Sequence, residues 1–202
     1  SSSSAASDVY KRQASGDALG AALLAGLKSL RPDLQVRGIG GPLMQAEGLH
    51  SLFPMEELSV MGLAEVLPKY AHLKRRIREA AADVLAAAPD ALITIDSPDF
   101  VLRVARIVRA ARPDLRTIHY VAPSVWAWRP GRAAKMAHVI DHVLALLPFE
   151  SPYMTAAGMT CDFVGHPVVS APRASAAEAQ AFRADLGGCL LYTSDAADEE
   201  DS

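Results

Sequence analysis

The sequence predicts an α/β protein built on a doubly wound parallel sheet, and three observations predict it. Strand-length apolar runs alternate along the chain with segments of helical periodicity, the pattern of a parallel sheet covered by helices on both faces. The run Ala91 to Ile95 has the length and apolar character of a strand buried on both sides. The unusual motifs fall directly after predicted strands, where open α/β sheets bind their ligands.

Taken in order, Asp17 to Leu30 is apolar at helical spacing, with Ser15 and Asp17 as capping candidates and Arg31-Pro32 as its stop. A short strand, Gln35 to Gly38, runs into Gly38-Ile39-Gly40-Gly41-Pro42. Helical periodicity returns from Pro68 to Ala88 and ends at Pro89-Asp90. After the strand at Ala91, the helix Phe100 to Ala111 sets Arg103, Arg106, Arg109 and Arg112 on one stripe, with Val101, Val104, Ala105 and Val108 inward. That stripe reads as a solvated face and not as a nucleic-acid site, because no aromatic residues interleave with it. Three further strands, Arg116 to Val121, His138 to Leu147 and Cys161 to Val164, are separated by helices near Arg129 to Ala137 and Glu150 to Ala157.

The 202 residues carry 20 Lys and Arg against 23 Asp and Glu, with 50% hydrophobic residues and 2 Cys. That apolar fraction excludes a disordered tail, and two cysteines make neither a disulfide framework nor a zinc ligand set. The longest apolar stretch, Val139 to Pro148, is far short of the ~20 residues of a membrane-spanning helix. No signal peptide is expected, since Ser1 to Gln13 lacks an apolar run. Both ends read as translated sequencing-library adapter: SSAASDVYKRQ at Ser3 to Gln13 and CLLYTSDAADE at Cys189 to Glu199. On that reading, residues 1–13 and 189–202 are not native, and Ala14 to Gly188 is an incomplete domain. Removing Lys11 and Arg12 leaves 18 basic residues. Removing Asp8, Asp195, Asp198, Glu199, Glu200 and Asp201 leaves 17 acidic ones, so the net charge of −3 becomes +1. Cys161 then stands alone, as a small buried hydrophobe.

Five motifs share the carboxyl-end rim of the predicted sheet: Ala14 to Asp17, Gly38 to Pro42, Asp96-Ser97-Pro98-Asp99, Pro123 to Arg129, and Gly165-His166-Pro167. Asp96, at a strand tip beside partly apolar walls, is a candidate general base. The competing reading has Asp96 or Asp99 capping the next helix, a role Asp99 fits better; a metal pair is a thin third reading. Trp126 and Trp128 either cover the core or line a cleft. Arg129 and Arg132 open a helix, where guanidinium groups and end amides favour phosphate, against the alternative of a solvated first turn. Gly40 and Gly41 form a tight turn that lets backbone approach a ligand, and no G-x-G-x-x-G spacing follows. His166 is a ligand-contact candidate, and His119, inside a strand, is a hydrogen-bonded core residue. Finally, Val60, Met61, Leu63, Val66, Leu67, Tyr70 and Leu73 lie beside Lys69, Lys74, Arg75, Arg76 and Arg78. They form either a core helix with a basic outer face, or an apolar patch rimmed by charge for acyl chains and anionic head groups.

These residues also carry a family resemblance. Ala14-Ser15-Gly16-Asp17, Gly40 to Gly48, Met55-Glu56-Glu57-Leu58-Ser59-Val60-Met61-Gly62, Asp96 to Phe100, His119 to Arg129 and Leu147-Pro148-Phe149-Glu150 resemble the lipid-A-disaccharide synthases in order and spacing. The resemblance implies the Rossmann-like N-terminal half of a two-domain GT-B glycosyltransferase. Its reaction joins UDP-2,3-diacylglucosamine to 2,3-diacylglucosamine 1-phosphate and releases UDP, at the cytoplasmic face of the Gram-negative inner membrane. It implies no metal and no cofactor, a UDP-sugar lipid donor, a glycolipid acceptor, an anionic membrane surface, no nucleic acid, and a homodimer of the intact protein. Carried over residue by residue, Asp96 matches the base. Ser15, Gly16, Asp17, Gly40, Gly41, Met44, Ser124, Trp126, Trp128, Arg129 and His166 match the substrate rim, and the segment from Val60 to Arg75 the lipid-facing region. Family members begin with a strand leading into Gly-Glu, which this sequence lacks, with Gln13 in the place of Glu. The expectation is a sheet left with two unpaired edges and a chain inactive by itself. Two other classes stay open: a sugar-nucleotide enzyme with a soluble substrate, and a non-catalytic lipid-binding module.

Overall fold

The computed structural model describes residues 2–58, 66–125 and 131–170 and scattered positions between 175 and 181, with side chains at 15–58, 71–125 and 131–169 and at those scattered positions. The chain divides into two compact units, Ser1–Pro167 and Val168–Ser202. In the second, Ser175 and Glu178 make a capping box. The Ser175 amide and hydroxyl donate to Glu178 Oε2 at 2.7 and 2.8 Å, and the Glu178 amide returns a bond to Ser175 Oγ at 3.2 Å.

The first unit alternates helix and strand: α1 (Ser2–Leu30), β1 (Arg37–Gly38), α2 (Pro42–Ala46), β2 (His50–Ser51), a 3-10 turn (Met55–Leu58), α3 (Val66–Ala87), β3 (Ala91–Ile95), α4 (Pro98–Ala111), β4 (Arg116–Tyr120), α5 (Gly131–Ala137), β5 (His142–Ala145), α6 (Ser151–Ala156) and β6 (Thr160–Phe163). A second 3-10 turn, Pro167–Ser170, follows at the junction of the two units. Expected and observed elements agree closely from Ala91 onward except at the strand expected over His138 to Leu147, which shortens to His142–Ala145. The short pieces α2, β2 and the first 3-10 turn have too few residues to show a period. Helix α1 begins at Ser2 and not near Asp17, since residues 2–13 hold neither Pro nor Gly to stop it.

Strands β3 to β6 pair in parallel in the order β3-β4-β5-β6, while β1 and β2 form a separate parallel pair. Among the described residues no strand bridges the two sheets, so β3 stands at an open edge. The register aligns Thr94 with His119, His119 with Val143 and Val143 with Cys161, which puts these four on one face. That face carries the largest core: Ala105 of α4, Ala133 and Met136 of α5 and Met154 of α6 close over Val143 and Ala145, with Cys161 packed at the margin. Helix α3 joins α4 in a second cluster through Leu73, Ile77, Ala80 and Ala81 against Phe100, Val104 and Val108.

The other face carries Ile93, Ile118 and Leu144. Among the described residues it is covered at the ends of β3 and β4, where Ile95 meets Leu24, Met44 and Leu49 and Tyr120 beside it is buried. Ile93, two residues earlier, is 37% exposed. Cover on both faces, expected from the sequence, is therefore limited to that corner among the described residues, because only α1 and α2 supply it.

One arginine of the α4 stripe departs from the sequence reading. Steps of three residues rotate a helix by about 60° each, so Arg109 has turned off the solvent face that Arg103 occupies. Its guanidinium reaches Asp141 Oδ1 at 2.7 Å and Thr117 Oγ1 at 2.5 Å. Burial opposes ionisation of Asp141, but Arg109 and the Thr117 donors outweigh it and hold the carboxyl below the usual range.

Candidate functional site

The rim is built where strands give way to loops, and backbone hydrogen bonds tie each loop to its neighbour. The Asp96 amide donates to Tyr120 O at 3.1 Å, Val121 to Leu144 O at 3.0 Å, and Val164 to Ala145 O at 2.9 Å. Strain concentrates at the same level. Asp96 (φ 47°) and Ser97 (φ 41°) are consecutive left-handed residues between β3 and α4, and Val121 (φ 83°) ends β4. A β-branched residue at positive φ is a rare outlier, held only where the surroundings over-determine it.

Ser97 occupies the N-cap of α4, with Pro98 next, and its side chain makes no capping bond. The helix begins two residues before the expected Phe100, because Pro fits the first turn. Neither Asp96 nor Asp99 is the cap, which removes the capping alternative for both. Asp99 is exposed in the first turn, and Asp96 is half-buried at the strand tip.

Asp96 faces two other motifs. A Cβ placed on Gly16 would lie 3.9 Å from Asp96 Cβ, 4.0 Å from its Oδ2 and 3.9 Å from Met55 Cε. The fold thus gathers the carboxylate, the Ser15-Gly16-Asp17 segment of α1 and the 3-10 turn at Met55. Met55 is a neighbour that sequence reasoning missed, since nothing in a four-residue turn announces which way it points.

Asp17, only 5% exposed, has a different job from the one its motif suggested. Its Oδ2 accepts the Leu43 amide at 2.9 Å and its Oδ1 the Met44 amide at 3.0 Å. Gly41, the N-cap of α2, has no side chain to cap with, so a carboxylate from α1 does so instead. Gly41 is required there: a Cβ would sit 2.5 Å from Asp17 Oδ2. Gly40 is pressed equally hard by Leu49 Cδ2 at 2.5 Å and Met44 Sδ at 2.8 Å, and Met44 itself is core. Asp17, Gly40, Gly41 and Met44 therefore form a rigid shelf beside the Gly16 and Asp96 pair.

Ser15 is exposed on α1, Ser124 is exposed just past β4, and His166 is exposed just past β6. Trp126, Trp128 and Arg129 lie outside the described residues, as do Val60, Met61 and Leu63, and Val66, Leu67 and Tyr70 fall where no side chains are described. Leu73, for which the sequence left core and apolar patch both open, packs inward in the second core cluster. Lys74 and Arg75 are exposed as expected. Among the described residues no group of His, Cys, Asp and Glu could hold a metal, and no helix is long and apolar enough to cross a membrane.

Two ionic devices brace the rim. Arg76 of α3 grips Glu57 through Nε at 2.7 Å and a terminal nitrogen at 2.6 Å, while its guanidinium stacks 4.4 Å over Phe53. His72 Nε2 lies 2.8 Å from the same carboxylate. Hydrogen bonding to Arg76 lowers the Glu57 pKa, against a smaller burial effect. The turn carrying Met55 is thereby fastened to α3. Past β5, buried Glu150 folds back to accept the Leu147 amide at 2.9 Å, and burial raises its pKa. Behind the rim, His119 is 1% exposed and its Nδ1 lies 2.8 Å from Thr94 Oγ1. Thr94 gives its one hydroxyl proton to Ile118 O at 3.1 Å. His119 Nδ1 is therefore the donor to Thr94, as a core histidine.

The comparisons bear on the same residues. The family profile described as lipid-A-disaccharide synthetase matches residues 9–186. Among curated relatives, the lipid-A-disaccharide synthase of Ruegeria pomeroyi is 70% identical over 173 residues, 86% of this chain and 43% of the relative. That of Rhodospirillum centenum is 51% identical over 170 residues, 84% of the chain and 42% of the relative. The Pseudomonas aeruginosa protein of that name is 48% identical over 175 residues, 87% and 46% respectively. The chain spans less than half the length of these relatives. With the profile covering the parallel sheet and its whole rim, the chain belongs to the lipid-A-disaccharide synthetase family.

Proposed function

We propose that the protein carrying this segment is a glycosyltransferase that joins UDP-2,3-diacylglucosamine to 2,3-diacylglucosamine 1-phosphate, with Asp96 as the base. In this reaction the acceptor hydroxyl oxygen bonds to the anomeric carbon of the donor, the bond from that carbon to UDP breaks, and the hydroxyl proton passes to the carboxylate. One observation carries the reading: in a chain of this family, Asp96 is held in a strained turn at a strand tip, its carboxylate beside side-chain-free Gly16. Gly16 is itself buried, and its lack of a side chain lets the α1 backbone come close to the carboxylate. The Asp17, Gly40 and Gly41 shelf supports the site from behind, Ser15 and the loops bearing Ser124, Trp126, Trp128, Arg129 and His166 contribute acceptor contacts, and the segment from Val60 to Arg75 meets the acyl chains. The protein works at the cytoplasmic face of the inner membrane as a peripheral, homodimeric enzyme without metal or cofactor.

The test is UDP release by the full-length protein from the two lipid substrates. Asp96→Asn keeps shape and removes basicity, so kcat should fall at least ~100-fold with acceptor KM little changed. An unchanged kcat removes the base assignment and favours a non-catalytic lipid-binding role. Turnover with deacylated sugars at the rate of the lipids would point to a soluble substrate.

A further inference from the structure

Helices α3 and α4 turn their apolar residues toward each other, which leaves both outer faces to solvent. On those faces Arg75, Arg78, Arg103 and Arg106 are exposed. Several other arginines are paired: Arg31 with Asp33, Arg37 with Asp83, Arg76 with Glu57 and Glu79, Arg109 with Asp141, Arg112 with Asp114. Arg78, Arg103 and Arg106 make no ion pair among the described residues, and the two acidic residues of α3, Glu79 and Asp83, are engaged by Arg76 and Arg37. The one acidic residue of α4, Asp99, sits in its first turn. Arg75 and Arg78, and likewise Arg103 and Arg106, are three residues apart, close enough on a helix to repel each other. Ile107, 38% exposed, adds an apolar residue to the same face of α4.

We propose that this two-helix face is a docking surface for an anionic lipid bilayer, with Arg78, Arg103 and Arg106 binding head-group phosphates. The proposal rests on the membrane reading above and extends it from the Val60 to Arg75 segment onto α4. Planar guanidinium groups take phosphate oxygens in pairs, and neighbouring lipid charges relieve the repulsion the helices carry alone. The exposed Ile107 and the absence of exposed aromatics on the described part of this face favour a bilayer over nucleic acid.

The experiment is co-sedimentation of the 202-residue chain with vesicles of phosphatidylglycerol and phosphatidylethanolamine, or of phosphatidylcholine alone, at low and high salt. Binding to the anionic vesicles should weaken as salt rises. Arg103→Gln with Arg106→Gln should cut it by about fivefold per residue, while Arg112→Gln, whose partner is Asp114, should not. The altered residues are exposed, so the thermal midpoint should stay within a degree or two of the parent chain. Failure of the parent chain to bind anionic vesicles sinks the membrane reading and this proposal with it. If Lys74→Gln with Arg75→Gln weakens binding and the α4 pair does not, the membrane reading survives and the proposal falls. Equal binding to phosphatidylcholine, or preference for duplex DNA over vesicles, also overturns it.

Discussion

Neutral burial of His119 makes the fold acid-sensitive above the range in which its lowered carboxylates act. Burial lowers the imidazole from 6.5 to about 4, because a ring 1% exposed has lost the water that would solvate its charge. Above pH 6.5 neither state is protonated there and the full stability is present. As the pH falls below 6.5 the unfolded chain takes up a proton that the folded chain refuses, so stability is lost until the pH passes about 4. At 1.36 kcal/mol per pH unit the whole effect is about 3 kcal/mol, of which about 2 kcal/mol is gone by pH 5. A small domain has ~5–15 kcal/mol to lose. The Asp141, Glu57 and Glu178 carboxyls, all lowered in the fold, withdraw their contributions at lower pH, as they protonate below the ordinary carboxylate range. The assay is urea unfolding followed by circular dichroism at pH 7, 6 and 5, on the parent chain and on His119→Asn. The Asn amide nitrogen stands where Nδ1 stood and still donates to Thr94, but it does not titrate. The smaller side chain should cost about 1–2 kcal/mol at every pH while flattening the slope between pH 7 and 5. If parent and variant lose the same stability over that interval, His119 is not buried as a neutral donor and the reasoning fails.

Legibility in the sequence followed the length of the signal. Ala91 to Ile95 matched its strand residue for residue, because five consecutive positions gave the pattern room to declare itself. The core role of His119 was also legible, since a polar residue inside an apolar strand must find an internal partner. The true function of Asp17 was not. Its partners are amides 26 and 27 residues away, and only the adjacency of Gly41 and Pro42, a helix start with no side chain of its own to cap it, hinted at a donor needing help. Met55 and the Glu57 to Arg76 grip were invisible for the same reason. They depend on where a four-residue turn lands against α3, and no periodicity encodes that. Leu73, left open between core and surface patch, lies in the core, and Arg109, placed in solvent, lies on Asp141. A helical stripe drawn at steps of three or four drifts around the axis, and its last members leave the face its first members define. The strain at Asp96, Ser97 and Val121 could not be read from residue type at all, because none of the three is glycine.

Three further outcomes test the shelf and the turn. Asp17→Ala strips two buried amides of their acceptor and should cost about 1–2 kcal/mol in urea unfolding at pH 7; a change under 0.5 kcal/mol would mean α2 finds its cap elsewhere. Gly41→Ala drives a methyl to 2.5 Å from Asp17 Oδ2 and should cost about 1–3 kcal/mol. In the double variant with Asp17→Ala the two losses should fall short of their sum, since the obstacle is the carboxylate itself, and strict additivity would count against the contact. Ser97→Gly should stabilise. A left-handed conformation costs an L-residue about 1–2 kcal/mol, glycine adopts it freely at an entropic cost of about 0.5–1 kcal/mol, and Ser97 forfeits no capping bond because it makes none. The net gain of roughly 0.5–1 kcal/mol should appear as a higher thermal midpoint in the chain. In the full-length protein the same relaxed turn should hold Asp96 less firmly and lower kcat. A variant that melts no higher than the parent would show that the turn is unstrained, and with it would go the argument that the fold spends stability to aim this carboxylate.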